Sequence, residues 1–271
     1  MKLLIVLAHP DPGSLNHALA QAVRDDLREA GHEVVFHDLY AERFDPVLLA
    51  DEVPEHGHIP AVIQKHGDDL RSADGIVVVH PNWWGQPPAI LKGWIDRVFR
   101  PGLAYRFKEG DSGEGIPIGL LRAKAAVVLN TSNTEARREQ SAFGDPLETL
   151  WKRCLFDLCG VRSFHRRMFS VVVTSTPRQR SAWMEEAKAL CRKAFKEETT
   201  MKTVKTYLSE TPAMMAKMLL EGSGIKAEIR KDDCGGMRPY LQAATGVQLR
   251  VRDEDREKAL EVLQAAGEDV Q

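Results

Sequence analysis

The 271-residue sequence predicts an α/β fold: a doubly wound five-stranded parallel sheet of order 2-1-3-4-5, followed by a small α+β module ordered βαββα. Two observations carry this expectation. Short β-branched apolar runs, of which Gly75-Ile76-Val77-Val78-Val79 is the purest, alternate with longer stretches whose apolar residues recur every three or four positions. Strands alternating with helices in this way imply a parallel sheet covered on both faces. The charged break Lys196-Glu197-Glu198-Thr199-Thr200 then ends the alternation, and a different order of elements follows. The expected domains are therefore residues 1–196 and 202–267.

Lys2 to Ala8 reads as the first strand. The helix after it carries Leu15, Ala18, Leu19, Ala22, Val23, Leu27 and Ala30 on its apolar side and stops at Gly31. Glu33 to Phe36 is the second strand. Residues 38–66 hold prolines at 46, 54 and 60 and are expected to form an exposed excursion. Its histidines, His56, His58 and His66, lack the cysteines or HExxH spacing of a metal site. Residues 61–71 are helical and lead to strand three at 75–79. Pro87 and Pro88 open a helix whose inner residues are Ile90, Leu91, Trp94, Ile95 and Val98. Lys124 to Asn130 is strand four. Near 146–159, Leu147, Leu150, Trp151, Cys154, Leu155, Leu158 and Cys159 make one apolar helical face. Phe169 to Thr174 reads as strand five and Ala182 to Phe195 as the closing helix.

In the second module, strands are expected at 202–208, 227–230 and 247–251. Thr211-Pro212 opens a helix through Met215, Met218 and Leu219, and Asp253 caps another with Ala259, Leu260, Val262 and Leu263 inside.

A hydrophobic content of 43% and a charged content of 28% are ordinary for a soluble globular protein. A net charge of -2 offers no electrostatic reason to expect nucleic acid or a membrane surface as partner. No apolar run approaches the roughly 20 residues of a membrane span. The apolar start, Leu3 to Leu7, is too short for a signal peptide and runs into His9-Pro10-Asp11, so it is read as a strand. Cys154, Cys159, Cys191 and Cys234 show no CxxC spacing and are expected to be buried thiols of a cytoplasmic protein.

The chemistry is expected in three loops at the carboxyl ends of strands one, three and four, where a sheet of this order binds ligands. The first, His9-Pro10-Asp11-Pro12-Gly13-Ser14-Leu15-Asn16, brings a Gly-Ser turn into a helix. Its amides and hydroxyl suit an anion, or Ser14 is simply an N-cap. It has neither GxGxxG nor GxxxxGK[ST], which argues against nucleotide triphosphate hydrolysis. The second, Pro81 to Gly85, puts Trp83 and Trp84 side by side, as if to flank an extended ring system. The third, Asn130-Thr131-Ser132-Asn133-Thr134, supplies small polar groups beside the other two.

Residues 1 to about 195 resemble the flavodoxin-like NAD(P)H:quinone oxidoreductases, the group of DT-diaphorase and the bacterial modulator-of-drug-activity proteins. The segments LIVLAHPDPGSLNHAL, HPNWWGQPPAILKGWIDRVFRPGLAYRF, FGDPLETLW and FDLCG carry the resemblance. It implies a bound flavin, FAD with FMN as the alternative, and NADH or NADPH as electron donor. By resemblance, the flavin phosphates lie against His9, Ser14, Leu15, Asn16 and Ala18. The ring lies against Pro81, Asn82, Trp83 and Trp84, with Thr131, Ser132, Asn133 and Thr134 at its other edge. Tyr105 and Phe107 match positions that line the substrate pocket of the partner subunit in a homodimer, and Arg180 an arginine near the adenylate.

The chain departs from the mammalian members after strand four. Aligned backwards from Gly144-Asp145, Arg137 stands in place of their tyrosine and Phe143 in place of their histidine. Arg137 reads as a solvated charge, the alternative being a group that polarises an acceptor oxygen or holds negative charge on the flavin. The second module resembles a small domain described as signal-transducing, through LLEGSGIKAEIRKDD, Gly235-Gly236 and GVQLRVRDEDREKALEVL, and suggests a regulatory or dimer-supporting role. Cys234, beside those glycines, has no adjacent base to activate it. The expected activity is two-electron transfer from NAD(P)H through flavin to a quinone or similar flat acceptor, by a ping-pong mechanism. The alternative is a regulatory flavoprotein subunit of the potassium-efflux ancillary type.

Overall fold

The computed structural model describes residues 1–54, 57–108, 110, 114–196, 201–230 and 246–268. The chain divides into two compact units, Met1–Lys196 and Glu197–Gln271.

The first unit is built on five parallel strands: β1 (Lys2–Leu7), β2 (Glu33–Asp38), β3 (Gly75–Pro81), β6 (Ala125–Ser132) and β7 (Ser163–Ser170). A two-stranded ribbon, β4 (Tyr105–Arg106) and β5 (Ile118–Gly119), lies between β3 and β6 in the chain. The main sheet has the order β2-β1-β3-β6-β7, which is the expected 2-1-3-4-5 in strand sequence. Alternation along the strands sorts the side chains. Leu3, Ile5, Leu7, Val77, Val79, Val127 and Leu129 pack on one face against Leu19, Val23 and Leu27 of α1 (Leu15–Glu29) and Ala187 and Cys191 of α6 (Pro177–Ala194). Leu4, Val6, Ile76, Val78, Ala126 and Val128 form the other face. They pack against Leu70 of α2 (Ala61–Ser72) and Leu91, Trp94 and Val98 of α3 (Ala89–Val98). β3 is buried at every position, as a strand covered on both faces must be.

Several expectations are corrected. Strand five is Ser163–Ser170, not Phe169–Thr174, and Val173 is exposed beyond its end. The apolar run Val171-Val172-Val173 attracted the reading, while the true edge strand carries Arg166 and Arg167. Both are tolerated because each has carboxylate partners: Asp145 and Glu148 for Arg166, Glu186 for Arg167. α6 starts earlier than expected, because Thr176, just before Pro177, forms a reciprocal capping box with Gln179. The helix near 146–159 begins as α5 (Pro146–Glu148) and widens into a π-helix over Thr149–Phe156. The wider turn buries Leu147, Trp151, Leu155, Phe156 and Cys159 and leaves Cys154 and Leu158 exposed. Burial pushes the Cys159 thiol up to about 12 and Cys191 higher still, so both are inert. Cys234 lies outside the described residues.

The described part of the excursion over 38–66 is largely exposed, as expected, but it is docked at a few buried points. Leu39, Phe44, Glu52 and His66 are buried. Pro46 sits so close to Gly93 of α3 that a Cβ there would lie 2.2 Å from the Pro46 carbonyl oxygen. The anchor is a buried bidentate pair in which Arg97 donates to Glu52 at 2.7 and 3.0 Å. His56 lies outside the described residues.

The second unit has three antiparallel strands in the order β8-β10-β9: β8 (Met201–Tyr207), β9 (Ala227–Arg230) and β10 (Val247–Arg252). α7 (Glu210–Gly222) and α8 (Arg256–Ala265) pack on it through Ala213, Ala216, Leu220, Ala259 and Leu263. Met215 and Met218 lie on the outer side of α7 and are two-thirds exposed. Asp253 opens a single 3-10 turn, and Asp255 occupies the N-cap position of α8. Among the described residues, no helix is long and apolar enough to cross a membrane.

Candidate functional site

The strand order reverses between β1 and β3, and the three loops read from the sequence leave the sheet around that point. The first is shaped by its own side chains. Asp11 accepts the Gly13 amide at 2.8 Å, and Ser14 caps α1 by accepting the His17 amide. Ser14 is thus the N-cap, and the amides of the first helical turn are oriented for an anion. Burial, its largest influence, holds His9 below the usual histidine range.

The second loop is a tight reversal. Trp83 and Gln86 exchange both backbone hydrogen bonds at 3.0 Å around Trp84 and Gly85, whose φ angles of 59° and 71° are those of a type I′ turn. A Cβ on Gly85 would lie 2.7 Å from Pro146 Cγ, so glycine lets this loop meet α5. Trp84, in contrast, holds a left-handed conformation that costs a non-glycine residue about 1–3 kcal/mol. It is fully exposed, whereas Trp83 is partly covered, with its ring 6.2 Å from that of His9.

Three contacts join the loops. Asn16 Nδ2 donates to Thr131 Oγ1 at 2.9 Å, the Asn82 amide donates to the Thr131 carbonyl at 2.7 Å, and His9 meets Trp83. Thr131 is therefore the hub. Thr131 and Ser132 are the last residues of β6 and are buried. Ser132 Oγ accepts the Thr134 amide, and Asn133 Oδ1 is already engaged with the Val173 amide. Leu15 and Ala18 lie in the first turn of α1, half-buried. Pro81 ends β3.

The remaining expected residues lie apart from this constellation. Tyr105 and Phe107 meet edge-to-face at 5.7 Å, and Tyr105, on the β4–β5 ribbon, packs on the α2–α3 side of the core. Burial raises the Tyr105 phenol. Arg137 and Phe143 are exposed on α4 (Ala136–Phe143). Arg180 holds the loop after β7, donating to Ser175 Oγ and the Val172 carbonyl.

Beneath the second loop lies a network that the sequence did not disclose. His80 Nδ1 donates to the Pro81 carbonyl at 2.8 Å, which leaves Nε2 to accept from Asn130 Nδ2 and Trp151 Nε1 at 2.7 and 3.0 Å. Asn130 Oδ1 in turn accepts from Arg166. Complete burial drives His80 down to about 3, against its hydrogen bond to Pro81, and the charge of Arg166 adds to the effect. His80 is thus a neutral strut. Glu139 was also missed; it is buried on α4 and accepts from Asn82 Nδ2 at 2.9 Å. The Asn-Trp-Trp pattern marks the loop, but nothing local marks partners 50 or more residues away.

The donor set fits a flavin. The side-chain oxygens of Asn16 and Asn82 are buried and accept no hydrogen bond from any of the described residues. An unmet buried acceptor is costly, and a flavin offers donors to satisfy it in its ring N–H and ribityl hydroxyls. Asn16 and Asn82 would hold such groups, Trp83 would flank the ring, and the α1 amides would meet phosphate.

His37, Glu42 and His66 place ligand atoms within 4.8 Å of one another, a spacing that a metal could use. Hydrogen bonds account for them instead. The Trp94 indole donates to His66 Nδ1, so His66 Nε2 carries the hydrogen that faces Glu42 at 3.2 Å. His37 meets Glu42 and Asp69 with its two nitrogens. Burial raises Glu42, but the hydrogen bonds from both histidines outweigh it and bring the carboxyl down to about 2.

Residues 1–194 match the family model described as flavodoxin-like fold. An NAD(P)H oxidoreductase of Haemophilus influenzae is 34% identical over 196 residues, covering 69% of this chain and 92% of that protein. The human ribosyldihydronicotinamide dehydrogenase [quinone] is 31% identical over 171 residues, covering 55% and 72% respectively. The crystal structure of Smu.1420 from Streptococcus mutans UA159 superposes with a TM-score of 0.62 at 30% identity, over 71% of this chain and all of that one. With the strand order β2-β1-β3-β6-β7 and these matches, the chain belongs to the flavodoxin-like NAD(P)H:quinone oxidoreductase family.

Proposed function

We propose that the protein oxidises NADH or NADPH and reduces a quinone or similar flat acceptor by two electrons, in a ping-pong cycle at the three-loop site. The observation that carries this is the joining of the loops at Thr131, with two buried acceptors in the same loops, Asn16 Oδ1 and Asn82 Oδ1, unmet among the described residues. A bound flavin, FAD or alternatively FMN, supplies the hydride and electron chemistry. The chain's own residues bind and orient. Ser14, Leu15, Asn16 and Ala18 at the start of α1, with His9, receive the phosphate end. Pro81, Asn82 and Trp83 set one side of the ring site and Thr131 to Thr134 the other. Ordering donor and acceptor in turn against one fixed surface is the main catalytic contribution. The His80 strut keeps the Pro81 carbonyl in place during turnover.

In this reading the protein is a cytoplasmic homodimer, and Tyr105 and Phe107 complete the partner's acceptor pocket. The module over 202–267 is regulatory or supports the dimer. A second reading, a regulatory flavoprotein subunit with slow turnover, is favoured by one observation: Leu208, Met214, Met215 and Met218 of that module leave apolar surface uncovered.

Steady-state oxidation of NADH and NADPH by the full chain with menadione separates the two. Turnover above about 1 per second supports the enzyme, as enzymes of ordinary rate exceed it. Turnover far below that, with flavin bound, supports the regulatory subunit. Removing residues 202–271 is expected to leave diaphorase activity in place.

A further inference from the structure

Ser14, His17 and Asp38 form a chain of hydrogen bonds that binding alone does not require. Ser14 Oγ lies 3.0 Å from His17 Nδ1, and His17 Nε2 lies 3.0 Å from Asp38 Oδ2. The other Asp38 oxygen accepts the amides of Tyr40 and Ala41, each at 3.1 Å. The carboxylate meets only donors, so His17 Nε2 carries hydrogen. His17 Nδ1 is then the variable atom, and it decides what Ser14 can offer.

In the neutral ring Nδ1 is a lone pair that takes the Ser14 hydroxyl hydrogen. Ser14 Oγ also accepts the His17 amide, so it presents only its remaining lone pair to the loop. In the protonated ring Nδ1–H donates to Ser14 Oγ, and the Ser14 hydrogen is released to donate outward. A phosphate meets repulsion in the first state. In the second it meets a donor, with a positive charge behind it.

We infer that the Asp38–His17–Ser14 chain couples anion binding at the first loop to the uptake of one proton, His17 being a positioning residue that turns Ser14 into a phosphate donor. The inference rests on the flavin reading for its ligand, the phosphate of FMN or FAD. Three groups face the His17 ring. Asp38, at the end of β2, favours the protonated form. Ser14, in the helix's own first turn, adapts to either. His9, on the preceding loop, stands edge-on with ring centroids 6.3 Å apart and opposes protonation only when charged itself. Burial lowers the His9 ring, and Asp11 lies beyond it. His17 is itself buried, so the proton it gains is shielded from bulk screening.

The test is calorimetric titration of the full chain with FMN in buffers of different ionisation enthalpy, repeated with riboflavin, which lacks the phosphate. The expected result is uptake of close to one proton per FMN and none per riboflavin. Where His17 starts neutral, FMN affinity falls by up to about tenfold per pH unit as pH rises, the limit for one linked proton. His17→Gln, which cannot be protonated, is expected to bind FMN without proton uptake. FMN binding with no uptake, or equal uptake by His17→Gln or with riboflavin, overturns the coupling and leaves the flavin reading standing. If no flavin binds, the flavin reading itself fails. Titration with inorganic phosphate, followed by the ¹⁵N shift of His17 Nδ1, then decides the coupling. A change from lone-pair to N–H character supports it, and an unchanged shift overturns it.

Discussion

Lowering the pH from the ordinary histidine range toward 3 is expected to destabilise the first unit through His80. The ring is neutral in the fold, with its protonation pushed down to about 3 chiefly by burial. In the unfolded chain it takes up a proton near the ordinary value of about 6.5. Between those limits the unfolded state binds more protons, so stability is full above the unfolded value and falls as pH drops. The loss is on the order of 4 kcal/mol by pH 3. Glu42, down to about 2, adds a second loss that sets in as pH falls through the ordinary carboxylate range. His80→Gln keeps an acceptor for Asn130 and Trp151 and a donor for Pro81 but does not titrate. Urea unfolding at a series of pH values should therefore show a much flatter acid limb for this variant above pH ~4.5. All five tryptophans lie in the first unit, so intrinsic fluorescence reports that unit alone. Equal acid limbs in the two proteins would mean that His80 is not the strut described.

The second large effect is expected at Arg97. It donates twice to Glu52, and both side chains are almost wholly buried. Arg97 also donates to the Asp45 carbonyl, and Arg100 to the Glu52 carbonyl, so the excursion is pinned at Asp45 and Glu52 to the end of α3 and the residues just after it. Arg97→Met leaves a buried carboxylate without a partner and is expected to cost about 3–5 kcal/mol. Replacing both residues, Arg97→Met with Glu52→Leu, should recover most of that loss, because the desolvation of two ions disappears with them. The same fluorescence-detected urea midpoints measure both. A double variant as unstable as the single one would show that packing against Pro46 and Gly93, and not charge burial, holds the excursion.

The centre of the fold was legible where burial on both faces leaves a continuous apolar run, as in β1 and β3. It was not legible at β7, where Arg166 and Arg167 occupy an edge strand because distant carboxylates satisfy them. It also failed in the π-helix, whose wider turn moves Cys154 out of the face that 3.6-residue periodicity assigns it. The site shows the same division. The three loops could be read from Gly13-Ser14, from the paired tryptophans and from the polar end of β6. Their ties could not: Asn16 and Thr131 are far apart in the chain, and His80 looks like any strand-end residue until Asn130 and Trp151 close on it. His17, one helical turn past Ser14, went unread in the sequence, and only the structure shows it meeting Ser14.

The most direct test of the three-loop site is flavin binding itself, followed by quenching of flavin fluorescence as the full chain is added to FAD and to FMN. The wild-type protein is expected to bind at least one of them. Asn16→Ala and Trp83→Ala should each weaken that binding by about tenfold or more, the loss of a buried hydrogen-bonding group or of an aromatic wall. A wild-type protein that binds neither flavin, or variants at Asn16 and Trp83 that bind as tightly as wild type, would contradict the assignment of these loops as the cofactor site.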